Sequence, residues 1–139
     1  MTDRSQRVAT AAQRVSVILP HPPRTLGKGN SAGWWTVRRD YVNCKIAAYY
    51  LLRDALDSAG IIVGEDAPWD GAIMHIDWLF AGTPPDDDNI VTRCAAARDA
   101  AEDIGLVTND RFVTIGTVTT TRVKRISQCV EMAFEKAER

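Results

Sequence analysis

Apolar residues recur along this chain with two different periods, and the switches between them lay out its elements. From Arg14 to Pro20, Val15, Val17 and Leu19 fall on one side against Arg14 and Ser16, with Ile18 the exception. A period of two predicts a half-buried strand, stopped here by Pro20. From Trp34 to about Ser58, Trp34, Val37, Tyr41, Cys44, Ala48, Leu51, Leu52 and Ala55 recur at steps of three and four. That is the stripe of a long amphipathic helix, closed by Gly60. Alternation returns over Ala72 to Phe80, where Met74, Ile76, Trp78 and Phe80 share a face and His75 and Asp77 take the other. Ile90, Cys94, Ala97, Ala101 and Ile104 predict a second helix from Asn89 to Ile104, ended by Gly105. Arg111 to Val123 is rich in Val, Ile and Thr and predicts a strand. Its apolar phase slips around Gly116, which predicts a bulge. A basic turn, Lys124 to Ser127, leads to a last strand in which Val130, Met132 and Phe134 alternate with Glu131 and Glu135.

The order is therefore β-α-β-α-β-β. It predicts a single α/β domain of α+β type, residues 14–139, with a mixed sheet of about four strands and two helices. Residues 1–13 read as a flexible N-terminal tail. A length of 139 residues, 45% hydrophobic and 25% charged, fits one ordinary globular domain. No apolar run approaches the roughly 20 residues that span a bilayer, and Met1 to Arg7 lacks a signal-peptide core. The three cysteines are scattered, without a Cys-x-x-Cys pair. Together these features point to a cytoplasmic chain with no membrane partner, no disulfide framework and no zinc site.

The net charge of −1 hides a strong asymmetry. Residues 1–53 carry nine Lys/Arg against two Asp/Glu, residues 54–110 two against thirteen, and residues 111–139 six against three. An acidic middle between basic ends suits a metal site flanked by phosphate-binding surface, or ends that pair with the centre.

The acidic middle is densest at Asp86-Asp87-Asp88-Asn89, with Asn109-Asp110 following the second helix. In an extended segment residues two apart project to one side, so Asp86 and Asp88 can aim at one ion while Asp87 points away. Asp110 is expected to close the site from the next strand. Gathered carboxylates repel unless a cation neutralises them, and Mg²⁺ on such ligands can activate water for phosphodiester attack. The competing reading makes these aspartates N-caps. The two histidines, His21 and His75, have no signalled nucleophile partner. In the loop His21 to Gly33, Gly-Lys-Gly-Asn-Ser lacks the spacing of a phosphate loop.

Asp86-Asp87-Asp88-Asn89, a helix containing Asp99-Ala-Ala, and Gly105-Leu-Val-Thr-Asn-Asp110 resemble the acidic signature of the RusA family. These are Holliday junction resolvases common in phages and prophages. The opening strand ending Leu19-Pro-His-Pro-Pro23, then Asn30 and Trp34 before a long basic helix, is similar to that family too. The resemblance implies an endonuclease using Mg²⁺, with Mn²⁺ as a substitute, that resolves four-way junctions in DNA recombination and repair. It implies a homodimer working in a bacterial cell or a phage-infected host. Asp86, Asp88 and Asp110 take the place of the metal ligands and Arg93 joins them as a catalytic group, supported by Asp87, Asn89 and Asn109. Lys28, Asn30, Arg38, Arg39, Lys124 and Arg125 are the expected DNA contacts. Two positions depart from the pattern. Arg93 or Arg98 stands in the region where the family often carries a lysine, and Asn109 replaces one acid of the closing pair. The departures give a second expectation, a weakened or inactive module that still binds branched DNA. A third leaves the acids as caps on an interaction protein.

Overall fold

A computed structural model describes residues 13–138. Four strands form one mixed sheet: β1 (Arg14–Leu19), β2 (Gly71–Phe80), β3 (Val113–Arg122) and β4 (Cys129–Ala137). Their order in space is β1-β4-β2-β3, with β4 antiparallel to both neighbours and β2 parallel to β3. Hence β1, β2 and β3 all point the same way, and their carboxyl ends share one edge of the sheet. The fold is the predicted α+β domain.

The predicted alternation sets which face is buried. Val15, Val17 and Leu19 of β1, Met74, Ile76, Trp78 and Phe80 of β2, and Val130, Met132 and Phe134 of β4 all enter the core, while Ile18 points to solvent. Each large apolar side chain so buried contributes roughly 1.5–3 kcal/mol. Helices cover that one face only. On the other, Arg14 pairs with Glu135 at 3.5 Å and Thr121 donates to Asp77 at 2.9 Å.

Helix α1 (Trp34–Ala59) lies over β1 and stops at Gly60, whose φ of 72° and N–H bonds to Leu56 and Asp57 carbonyls end it. Its buried residues are Ala48, Leu52 and Leu56. Trp34 and Leu51, expected in the stripe, are exposed instead, because the packed face is narrower than the apolar one. The predicted second helix is divided into α2 (Asp87–Arg93) and α3 (Ala95–Asp103). The break falls at Cys94, whose N–H is shared between the Ile90 and Val91 carbonyls at 3.1 and 3.2 Å. The alanines of α3 let it pack close: Ala96, Ala97, Ala100 and Ala101 are all buried.

β3 is an edge strand, touched by α2; of its residues only Val113 is buried, with Val118 half-buried against the core. The expected irregularity at Gly116 is real, as the register against β2 shifts between Met74 and Ile76. Its cause is His75. A Cβ on residue 116 would sit 2.5 Å from the His75 ring, whose Nδ1 accepts from the Thr117 N–H at 3.1 Å. The expected tail lies outside the described residues apart from Gln13. That residue accepts from Lys136 N–H through its carbonyl at 2.9 Å and from Trp69 Nε1 through its side chain at 3.2 Å. Among the described residues no helix is long and apolar enough to cross a membrane.

Candidate phosphate-binding cleft

Because β1, β2 and β3 end at the same edge, the segments that follow them meet there. They enclose a cleft of about 1010 Å³. The segment after β1 supplies His21, Arg24, Lys28 and Asn30, that after β2 Ala81 to Pro85, and that after β3 Arg125 and Gln128. Asn89 and Arg93 enter from α2. Edges of this kind are where open sheets bind ligands, since loops there are free to vary on a rigid base.

Each wall has a local cause. Asn30 shapes the first loop, its amide donating to the Thr25 and Gly27 carbonyls at 2.7 and 2.9 Å and its Oδ1 accepting from Ala32 N–H at 2.9 Å. Asn89 ties that loop to α2 by accepting from Lys28 N–H at 2.9 Å. The approach is so close that a Cβ on Gly27 would lie 2.6 Å from Asn89 Oδ1. Gln128 joins the other two segments by accepting from Ala81 N–H at 3.0 Å.

Trp78 forms the floor. The His21 ring stacks on it, with centroids 4.4 Å apart and 20° between planes, and His21 Nε2 lies 2.8 Å from the Leu79 carbonyl. The Arg93 guanidinium sits 4.7 Å from the same indole and donates through Nη2 to the Pro22 carbonyl. Arg93 is only 8% exposed and has no carboxylate partner among the described residues, and its Nε makes no hydrogen bond. Burial, then the neighbouring Arg24 charge, lowers its pKa from the ordinary arginine value. A buried cation without a counter-ion is costly, by several kcal/mol per ion. Together with Arg24, Lys28 and Arg125 it gives the cleft a marked demand for an anion.

The expected carboxylate set does not assemble within one chain. Asp86 is the N-cap of α2, accepting from Asn89 N–H at 2.8 Å. Asp87 and Asp88 follow in the first turn, exposed, with Asp88 3.9 Å from Lys28. These three flank the cleft. Asp110 lies at the opposite edge, in the turn before β3, where Val113 pairs with Ala72 at the start of β2. Ten residues of β2 separate the two edges, roughly 30 Å of strand. Asp110 therefore does not close the site. Its neighbours are Asp99 and Glu102 of α3, and Asn109 caps the turn by accepting from Arg111 N–H. Mg²⁺ needs a compact shell of oxygens at about 2.0–2.1 Å. Among the described residues no three His, Cys, Asp or Glu side chains are grouped to hold a metal. The residues present do not fit that ion in a single chain.

Of the expected DNA contacts, Lys28, Asn30 and Arg125 line the cleft, with Lys124 next to Arg125. Arg38 and Arg39 do not line it; Arg39 pairs with Asp40 at 3.4 Å. Sequence reasoning missed His21, Arg24, Trp78 and Gln128. The proline-rich loop was the available signal for the first two. Nothing in the spacing linked Gln128 to it.

The second carboxylate cluster has its own electrostatics. Asp99 accepts from the Tyr41 hydroxyl, and Asp103 pairs with Lys45 at 2.8 Å. Burial foremost, and then the adjoining Asp110 carboxyl, hold Asp99 above the usual carboxylate range against the pull of Tyr41. An acid raised in the folded state penalises the fold when ionised. The penalty is absent below the unfolded pKa and is fully present once pH has risen through the raised one. Asp99→Asn therefore raises Tm at the pH where Asp99 is ionised and flattens its fall as pH rises above about 4. Thermal melts across that range check this, and an unchanged slope would contradict it.

No protein-family model and no curated protein matches this chain.

Proposed function

We propose that this protein binds branched DNA by taking a sugar–phosphate strand across the cleft at the carboxyl ends of β1, β2 and β3. The buried Arg93 carries the reading: it has no carboxylate partner among the described residues and its Nε is without a hydrogen bond, and a phosphate would supply both. Arg24, Lys28 and Arg125 extend the cationic path. Selectivity for four-way junctions follows from the RusA resemblance, not from the cleft itself. Binding without cutting suits one chain, whose Asp86 and Asp88 stand apart from Asp110. The second reading, hydrolysis, is favoured by Asp86 and Asp88 lying at the cleft mouth.

A gel-shift titration with a labelled four-way junction and a linear duplex of the same sequence tests the proposal. The expected result is preferential junction binding that survives chelator and weakens steeply with salt. Asp88→Asn is expected to strengthen binding about two- to fivefold by removing a negative charge beside Lys28, an effect on the scale of one exposed ion pair. Equal affinity for both DNAs would refute the junction preference. Cleavage in Mg²⁺ or Mn²⁺ that Asp88→Asn abolishes would establish the second reading instead.

A further inference from the structure

Of the large apolar side chains exposed among the described residues, Ile126 is the barest, at 94%. It is the middle residue of a 3-10 turn, Arg125–Ser127, between β3 and β4. Apolar residues scattered singly over a surface are ordinary, but this one has a rigid mount at the cleft. The turn closes through Ser127 N–H to the Lys124 carbonyl at 2.8 Å and Gln128 N–H to the Arg125 carbonyl at 3.2 Å. On its β3 side, Val123 N–H donates to the Phe80 carbonyl at 2.8 Å and Arg122 Nη1 to the Ala81 carbonyl at 3.1 Å. On its β4 side, the Gln128 side chain accepts from Ala81 N–H at 3.0 Å. Both ends are thus fastened to the end of β2. Arg125 and Gln128 line the cleft, whereas Ile126 stands out of it.

The charges around the turn say what Ile126 meets. Arg122, Lys124 and Arg125 surround it, and the chain has no Asp or Glu between Arg111 and Val130. Neither Lys124 nor Arg125 has a carboxylate partner among the described residues. The acids of the cleft mouth, Asp86 to Asp88, belong to the start of α2, where Asp88 faces Lys28 at 3.9 Å. Asp77 and Glu131 stand opposite each other within the sheet, on its open face. An apolar tip beside two unpaired cations fits the inside of a base stack, which is the apolar surface lying behind a phosphate backbone. An intact stack resists opening, whereas a branch point already interrupts it. We infer that Ile126 is a wedge. With a strand in the cleft, its side chain enters the interrupted stack at the branch point, and Lys124 and Arg125 hold the flanking phosphates. The inference rests on the DNA reading and gives branch preference a source in this chain. Because the turn is fixed before binding, little ordering is left to oppose insertion.

A four-way junction carrying 2-aminopurine beside its crossover tests the wedge, since that base brightens when its neighbour unstacks. Anisotropy on the same DNA shows when the protein is saturating, and circular dichroism verifies folding. Saturating wild-type protein should raise the emission. Ile126→Ala should leave it at the level of free junction, lower junction affinity about tenfold and narrow the preference over linear duplex. Ile126→Leu should restore both. Tight junction binding with unchanged emission overturns the wedge and leaves the cleft reading standing. So does a rise in emission that Ile126→Ala reproduces in full. Failure of the wild-type protein to bind either DNA removes the cleft reading and the wedge with it.

Discussion

Replacing Arg93 with alanine should lower affinity for a four-way junction by about ten- to a hundredfold, while leaving the fold nearly as stable. A hydrogen bond to a charged group contributes about 1.5–3 kcal/mol, which sets the size of the loss. Three effects on stability oppose one another. The variant loses the Trp78 stack, worth up to about 2 kcal/mol when desolvated, and the bond to Pro22. It also removes a buried guanidinium whose Nε has no partner, and that relief is worth several kcal/mol. Tm therefore moves little, whereas fluorescence anisotropy on labelled junction shows the loss and a salt dependence shallower by about one phosphate contact. Arg93→Lys should fall between, since lysine keeps the charge but not the planar fork. Unchanged junction affinity in Arg93→Ala would remove the main support for the cleft.

Trp78→Ala should give the largest fall in stability. Trp78 is 2% exposed, sits among the β2 core residues and carries both His21 and Arg93 on its ring. Large-to-small changes at such sites cost roughly 3–5 kcal/mol, a fall in Tm of about 10 °C or more for a domain of this size. Loss of the floor should also free His21 and Arg93, so junction binding falls even where the variant is fully folded. Trp78→Phe keeps an aromatic seat and should retain most of both. Calorimetry with parallel binding measurements checks the pair. A stable Trp78→Ala with normal binding would show that the cleft does not depend on its floor.

The contrast between the two sites shows how far local pattern reaches. Strand faces were legible residue by residue, because side-chain direction in a strand depends only on position along it. Val15, Val17, Leu19, Met74, Ile76, Trp78, Val130, Met132 and Phe134 all go inward as their alternation requires. The bulge at Gly116 was legible as a slip in phase, though its cause, the His75 ring, was not. Helix burial was read less well. Apolar spacing marks a face that can be buried, and a neighbour decides how much of it is, so Trp34 and Leu51 stay outside. The break at Cys94 was invisible, as Ile90 to Ile104 keeps helical spacing across it.

What the sequence alone determined is the element order, the inward face of each strand, and the supply of acids and basic residues along the chain. All of these follow from neighbours a few positions apart. The tertiary structure decided which charges meet. Strand directions brought loops 20–30, 81–85 and 125–128 to one edge and sent Asp110 to the other, and no local period encodes that choice. The acids that read as one cluster on paper are divided by the length of β2. Arg93, read only as a stand-in for a lysine, became the buried charge at the centre of the cleft because Trp78 and Pro22 hold it there.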